Sequence, residues 1–152
     1  MGGAATPGIA ALMKAGVPHQ VLHFDAVTDL SESSDVAPEQ VFKTLIVALP
    51  GELAVAIVPV PWRLSLKAVA AALGVPKAVM AEPAAAERAT GYVVGGISPF
   101  GQRKRLRTVL DASALRWDRI LCSAGKRHYD VAVAPRDLIR LTGAITADIS
   151  RT

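Results

Sequence analysis

"VFKTLIVALPGELAVAIVPV", residues 41–60, contains two apolar runs of strand length separated by Pro50-Gly51. Val, Ile, Leu and Ala dominate both halves, and a Pro-Gly corner favours chain reversal, so the stretch predicts a β-hairpin over 41–49 and 52–60. No apolar run in the 152 residues is long enough to span a bilayer: each is interrupted by Pro, Gly or charge. The high hydrophobic fraction of 51% therefore belongs to a packed interior and excludes a helical membrane protein.

Working outward, Thr6-Pro7 predicts the cap and first turn of a helix to about Lys14, ended by Gly16. Residues 19–24 read as a strand, and 25–40, polar and acidic, as a mobile loop or short helix. Ser65 caps a helix stopped by Gly74, 77–82 is a short strand, and Pro83 opens a helix stopped by Gly91. Strands are expected near 92–97, 107–111, 118–123 and 129–133. Pro135 opens a helix to Leu141, stopped by Gly143, and 144–149 is the last strand. Strands outnumber helices and hairpins adjoin. The expected class is α+β: one domain over 1–152, with a mixed, twisted and partly barrel-like sheet and flanking helices. One cysteine excludes an internal disulfide framework and fits a reducing cytoplasm. The segment "MGGAATPG" has no secretory signal pattern, which also leads us to expect a cytoplasmic chain with no membrane partner.

Net charge is only +4, but its distribution is uneven. "RKRLR" at 103–107 places Arg103, Lys104, Arg105 and Arg107 together, and Lys126-Arg127 adds a second pair. Such clusters suit phosphate contact, and equally a solvated loop that keeps an edge strand from pairing. Base stacking has little support, since Phe100 is the one aromatic nearby.

Four further features bear on chemistry. Lys43 sits in a strand among aliphatic residues, where its ammonium either snorkels to water or meets an anion. Thr44, on the opposite face, is an ordinary β-former. Gly95-Gly96 interrupt a strand pattern, which signals close approach by a ligand or by another backbone. Ser98, before Pro99, is biased toward extended backbone and stands where the run becomes a loop. Cys122 reads as core, and Ser123 has no evident His-Asp relay. His19 and His23 lack the companions a metal site needs, so neither a metal nor a cofactor is expected.

Taken in order, "VFKTL", "GYVVGGISPFGQ" and "SAGKR" resemble the YbaK-type Cys-tRNA(Pro) deacylases of the bacterial prolyl-tRNA editing-domain (YbaK/ProX) superfamily. The resemblance extends through "LKAVAAALG" and "AERATGY" to "PRDLIRLTGA". It implies a mixed α+β domain that hydrolyses the ester of a mischarged aminoacyl-tRNA, most specifically Cys-tRNA(Pro). Ala-tRNA(Pro) or another mischarged tRNA, or non-catalytic RNA binding, are the competing expectations. By the same resemblance Lys43 is the essential lysine, followed by Thr44. Gly95 presents its backbone to the ester with Gly96 beside it, and Ser123 and Asp130 are the later site residues. Phe24 stands near the pocket entrance, where many members carry tyrosine, and Ala124 replaces a common glycine. Phe24, Thr44, Ser98, Ser123 and Asp130 are thus expected substrate contacts. The cations at 103–107 and 126–127 are expected to grip tRNA(Pro), and prolyl-tRNA synthetase is a candidate partner.

Overall fold

The computed structural model describes residues 5–24 and 36–152; most of the acidic 25–40 segment lies outside them. The chain begins with α1 (Pro7–Lys14), where the Thr6 hydroxyl accepts a hydrogen bond from the Ile9 amide. It continues through β1 (Gln20–His23) to the expected hairpin, β2 (Phe42–Leu49) and β3 (Glu52–Pro59). Then follow β4 (Arg63–Leu64), α2 (Leu66–Leu73), β5 (Val79–Met80), α3 (Pro83–Thr90) and β6 (Arg107–Asp111). The chain closes with β7 (Ile120–Lys126), β8 (Tyr129–Val133), α4 (Pro135–Thr142), β9 (Ile145–Ala147) and β10 (Ser150–Arg151). The helix signals in the sequence are strong local ones: Ser65 caps α2, and Gly74, Gly91 and Gly143 end α2, α3 and α4.

The hairpin is the centre of a five-stranded mixed sheet in the order β5-β2-β3-β6-β9. β2 and β3 pair antiparallel without a break from Phe42–Pro59 to Leu49–Glu52, whereas β6 runs parallel to both β3 and β9. β1-β8-β7 form a second, antiparallel sheet, and a parallel bridge between Val41 and Leu121 joins the two. A β10–β4 pair completes the described strands, which do not close into a barrel.

Strand alternation explains why the hairpin reads as continuously apolar. Ile46 and Val55 face one way, into a core built with α1, Ala86 of α3 and the inner side chains of β7 and β8. Val47 and Ala54 face the other way, onto Val69, Ala70 and Leu73 of α2. Both faces are covered, so neither can be polar. No helix among the described residues is long and apolar enough to cross a membrane.

The expected strand at 92–97 is not formed. Tyr92 is buried, its amide bonded to the Thr90 hydroxyl and its own hydroxyl donating to the Phe100 carbonyl. The Gly96 amide then donates to the Val93 carbonyl (2.9 Å), and Gly95 takes φ +95°, open to glycine but strained for other residues. A chain that turns back on itself in this way has no main-chain row left for a neighbouring strand. The valines there are exposed instead of packed.

Candidate active site

The loop at 92–98 and the β7–β8 turn form two walls of a largely apolar cavity of about 650 Å³, and the first half of β2 forms a third. Lys43, Thr44, Gly95, Ser123, Asp130, Phe24, Lys126 and Arg127 all line it. Gly96, Ser98 and the 103–107 run do not.

β2 contributes an open edge. The Val60 amide donates to the Val41 carbonyl, so the odd-numbered main-chain groups bond toward β3. The even-numbered groups point to the opposite edge, where β5 pairs only with Val47 and Ala48 and the Ala81 amide takes the Ile46 carbonyl. The main chain of Thr44 is thereby left on the cavity side. Its hydroxyl is buried with no hydrogen-bond partner among the described residues. A buried, unpaired hydroxyl costs about 1–3 kcal/mol, which a bound polar ligand could recover.

Lys43 is half-buried and donates to the Val60 carbonyl at 3.2 Å. Burial lowers its pKa from 10.5, and no carboxylate among the described residues pairs with it. Its ammonium lines the cavity without an ion-pair partner among the described residues, which leaves it open to an anion. Asp130, on β8 opposite Ser123, is only 7% exposed. Burial pushes its carboxyl up from 3.8 to about 7. The Ser123 hydroxyl accepts the Gly125 amide at 3.1 Å, and no hydrogen bond joins Ser123 to His128 among the described residues. A Ser-His relay is therefore not assembled. Cys122 is fully buried outside the cavity, and burial followed by the Asp130 charge pushes its thiol well up. It is core, as its sequence context suggested.

The paired glycines are explained by another backbone. A Cβ on Gly96 would lie 3.0 Å from the Arg127 amide nitrogen, and one on Gly95 would lie 3.0 Å from the Arg127 Nε. Side-chain-free residues let the loop seat against the β7–β8 turn. Of the loop amides, Val94 is taken by Glu87 and Gly96 by Val93. Gly95 and Ile97 line the cavity with no acceptor for their amides among the described residues. The Gly96 amide is committed within the turn, which leaves the Gly95 and Ile97 amides as the loop donors without an acceptor at the cavity.

Other expectations shift. Ser98 is fully buried, its hydroxyl accepts the Phe100 amide, and it organises the loop without lining the cavity. Arg107 donates to the Leu73 carbonyl (2.8 Å) at the end of α2 and lies 3.8 Å from Glu52; it caps a helix. Main-chain amides of Arg103 and Lys104 cap the end of α3 through the Thr90 and Ala89 carbonyls. Lys104 and Arg105 border a separate cavity of about 240 Å³ beside Thr142 of α4. The run thus lies at helix C-termini, where cations are favoured, with Arg103, Lys104 and Arg105 exposed.

Sequence reasoning missed three residues. Tyr129 lines the cavity beneath the Lys126 ammonium, 5.3 Å from its ring centre. His128, with φ 72°, makes the turn, and its carbonyl accepts the Phe24 amide. Glu87 reaches the loop from α3. None carries a sequence signal, because each matters only through a neighbour distant in the chain.

Known proteins share the sequence pattern and the fold of this chain. A family model for the aminoacyl-tRNA editing domain matches residues 23–141. EbsC of Enterococcus faecalis, named as a Cys-tRNA(Pro)/Cys-tRNA(Cys) deacylase, is 35% identical over 122 residues, 80% of this chain and 74% of its own. The multifunctional Ser/Thr-tRNA deacylase ProXp-y of Escherichia coli K12 is 28% identical over 152 residues, 95% of this chain and 91% of its own. A crystal structure described as a trans-editing enzyme for prolyl tRNA synthetase shares the fold, with a TM-score of 0.85 at 22% identity over 98% of this chain and 100% of that one. The matched residues take in every wall of the cavity, and the chain belongs to the aminoacyl-tRNA editing domain family.

Proposed function

We propose that this editing-domain protein is a deacylase that removes cysteine from Cys-tRNA(Pro), with residues 1–152 acting as one unit on the aminoacyl-tRNA. The observation that carries the reading is the convergence of Lys43, Thr44, Gly95, Ser123 and Asp130 on one cavity of about 650 Å³, without an assembled side-chain nucleophile among the described residues. That volume suits a small ligand such as an aminoacylated ribose. In the net reaction a water molecule is consumed. The ester bond to the ribose oxygen breaks, the amino acid leaves as its carboxylate, and the ribose hydroxyl regains a proton. Either water attacks the ester carbonyl directly, or the substrate's own thiol first displaces the ribose oxygen to give a thiolactone that water then opens; in both routes the Gly95 amide stabilises the charge that develops on the carbonyl oxygen. One such donor contributes about 2.7–4 kcal/mol. Lys43 anchors the anionic end of the tRNA, and the Thr44 hydroxyl and the Asp130 carboxyl meet polar groups of the aminoacyl moiety.

Need for such an enzyme follows from binding energies. A synthetase site shaped for proline rejects a side chain of similar or smaller size by only about 1–3 kcal/mol, so a second site must clear the errors. EbsC supports cysteine as the amino acid, whereas ProXp-y supports serine or threonine. A deacylation panel of Cys-, Ala-, Pro-, Ser- and Thr-charged tRNAs, with Cys on both tRNA(Pro) and tRNA(Cys), decides between them. Fastest release from Cys-tRNA(Pro) supports the assignment, and faster Ser- or Thr-tRNA hydrolysis replaces it. Binding without turnover would make the chain an RNA-binding module. Arg103, Lys104, Arg105 and Lys126 are the cations we assign to the tRNA backbone, and prolyl-tRNA synthetase remains the candidate for recruitment.

A further inference from the structure

The 93–96 turn is held from outside at both ends of Val94. The Val94 amide donates to Glu87 Oε2 at 2.9 Å, and the Val94 carbonyl accepts from Arg127 Nη2 at 2.9 Å. Within the turn, the Val93 carbonyl accepts the Gly96 amide. These bonds fix two successive peptide planes. The Val93–Val94 unit is tied through its carbonyl to Gly96 and through its N–H to Glu87. The Val94–Gly95 unit is tied only through its carbonyl, to Arg127.

The second plane matters most. A trans peptide unit is rigid, and its C=O and N–H point in opposite directions. Whatever holds the Val94 carbonyl therefore aims the Gly95 N–H. That N–H has no acceptor among the described residues, and Gly95 lines the cavity. Left alone, glycine flanked by an exposed valine could rotate this plane, because it has access to both signs of φ. The guanidinium also packs across the glycine, with Nε 3.0 Å from where a Cβ would lie. A cation on the carbonyl oxygen further polarises the peptide, which strengthens its N–H as a donor.

We propose that Arg127 is a positioning residue for the reaction: by gripping the Val94 carbonyl it holds the Gly95 N–H toward the ester, with Glu87 steadying the preceding plane. This moves Arg127 out of the set of phosphate contacts expected from its charge, and it rests on the assignment of Gly95 as the oxyanion donor. A phosphate contact and a positioning contact differ in what they change. Loss of a phosphate contact raises KM and flattens the salt dependence of binding. Loss of positioning lowers kcat and leaves both nearly unchanged.

The test uses the full chain with Arg127→Ala, Arg127→Gln and Arg127→Lys. The first readout is the amide NMR spectrum without tRNA. In Arg127→Ala the Gly95 cross-peak should shift, while the melting temperature stays close to that of the parent. The second is single-turnover deacylation of Cys-tRNA(Pro) across salt concentrations. Arg127→Ala should lose between about tenfold and a hundredfold in kcat, with KM within about twofold and an unchanged salt slope. Arg127→Lys should recover part of that loss, and guanidinium ion at millimolar concentration should partly restore Arg127→Ala. An unmoved Gly95 signal, or a raised KM with a flattened salt slope and normal kcat, overturns the inference. If the signal moves but the parent protein hydrolyses no aminoacyl-tRNA, the clamp stands as structure. The catalytic reading then fails, and the assigned role with it.

Discussion

Replacing Asp130 by Asn should make the protein more stable at pH 8 and less dependent on pH. Asp130 is 7% exposed on β8, and its carboxyl, which has no hydrogen bond or ion pair to a described residue, is pushed up from 3.8 to about 7 by burial. Between those two values the folded protein keeps a proton that the unfolded chain has released. The native state binds more protons there, so stability falls as pH rises across that window and levels off above it. At 1.36 kcal/mol per pKa unit, the charged, buried carboxylate costs on the order of 4 kcal/mol at pH 8. Asn is close in shape and cannot ionise, so most of that cost disappears in the variant. A gain of about 2–4 kcal/mol at pH 8 should shrink toward zero near pH 4, and in a chain of this length it corresponds to a rise in Tm of several degrees. Urea and thermal melts of both proteins from pH 4 to 8.5 measure it. Parallel stability curves, or an Asn variant destabilised at pH 8, would refute the desolvation argument. A carboxylate kept where burial penalises it is stability given up, as is common at binding sites.

Lys43→Ala should reduce Cys-tRNA(Pro) hydrolysis by at least about a hundredfold at unchanged or higher Tm, because the ammonium is already penalised by burial and contributes little to folding; near-parental turnover in a folded variant would remove Lys43 from the site. Cys122→Ser should keep most of its turnover while losing about 1–3 kcal/mol of stability, since it places a hydroxyl at a fully buried position of the core; a trapped acyl-enzyme at Cys122 would contradict this. Joint replacement of the exposed Arg103, Lys104 and Arg105 by Ala should raise KM for charged tRNA and reduce its salt dependence, read from rates at several salt concentrations. An unchanged slope would leave the run as helix-terminal charge alone.

Local physics wrote much of this fold into the chain. Pro50-Gly51 between two apolar runs turns the chain into a hairpin, and Thr6 and Ser65 start helices by supplying an acceptor for a free amide. Gly74, Gly91 and Gly143 stop them. The order of the motifs around Lys43, Gly95 and Ser123 is likewise legible along the chain and marks the family. What depended on tertiary structure was every question of which group faces which. Strand propensity at 92–97 lost to Tyr92 and Gly95, whose partners lie across a turn. Ser98 looked available and is sealed in, while Arg107 looked free and holds the end of α2, 34 residues away. Of the two amides in the glycine pair, one is consumed within the turn and the other is left to the cavity. Arg127 reaches Val94 across 33 residues, and Glu87 reaches it from a helix. Capping and turn preferences act over a few residues and can be read along a line. The availability of a donor, the burial of a carboxyl and the aim of a peptide plane depend on atoms that only folding brings together.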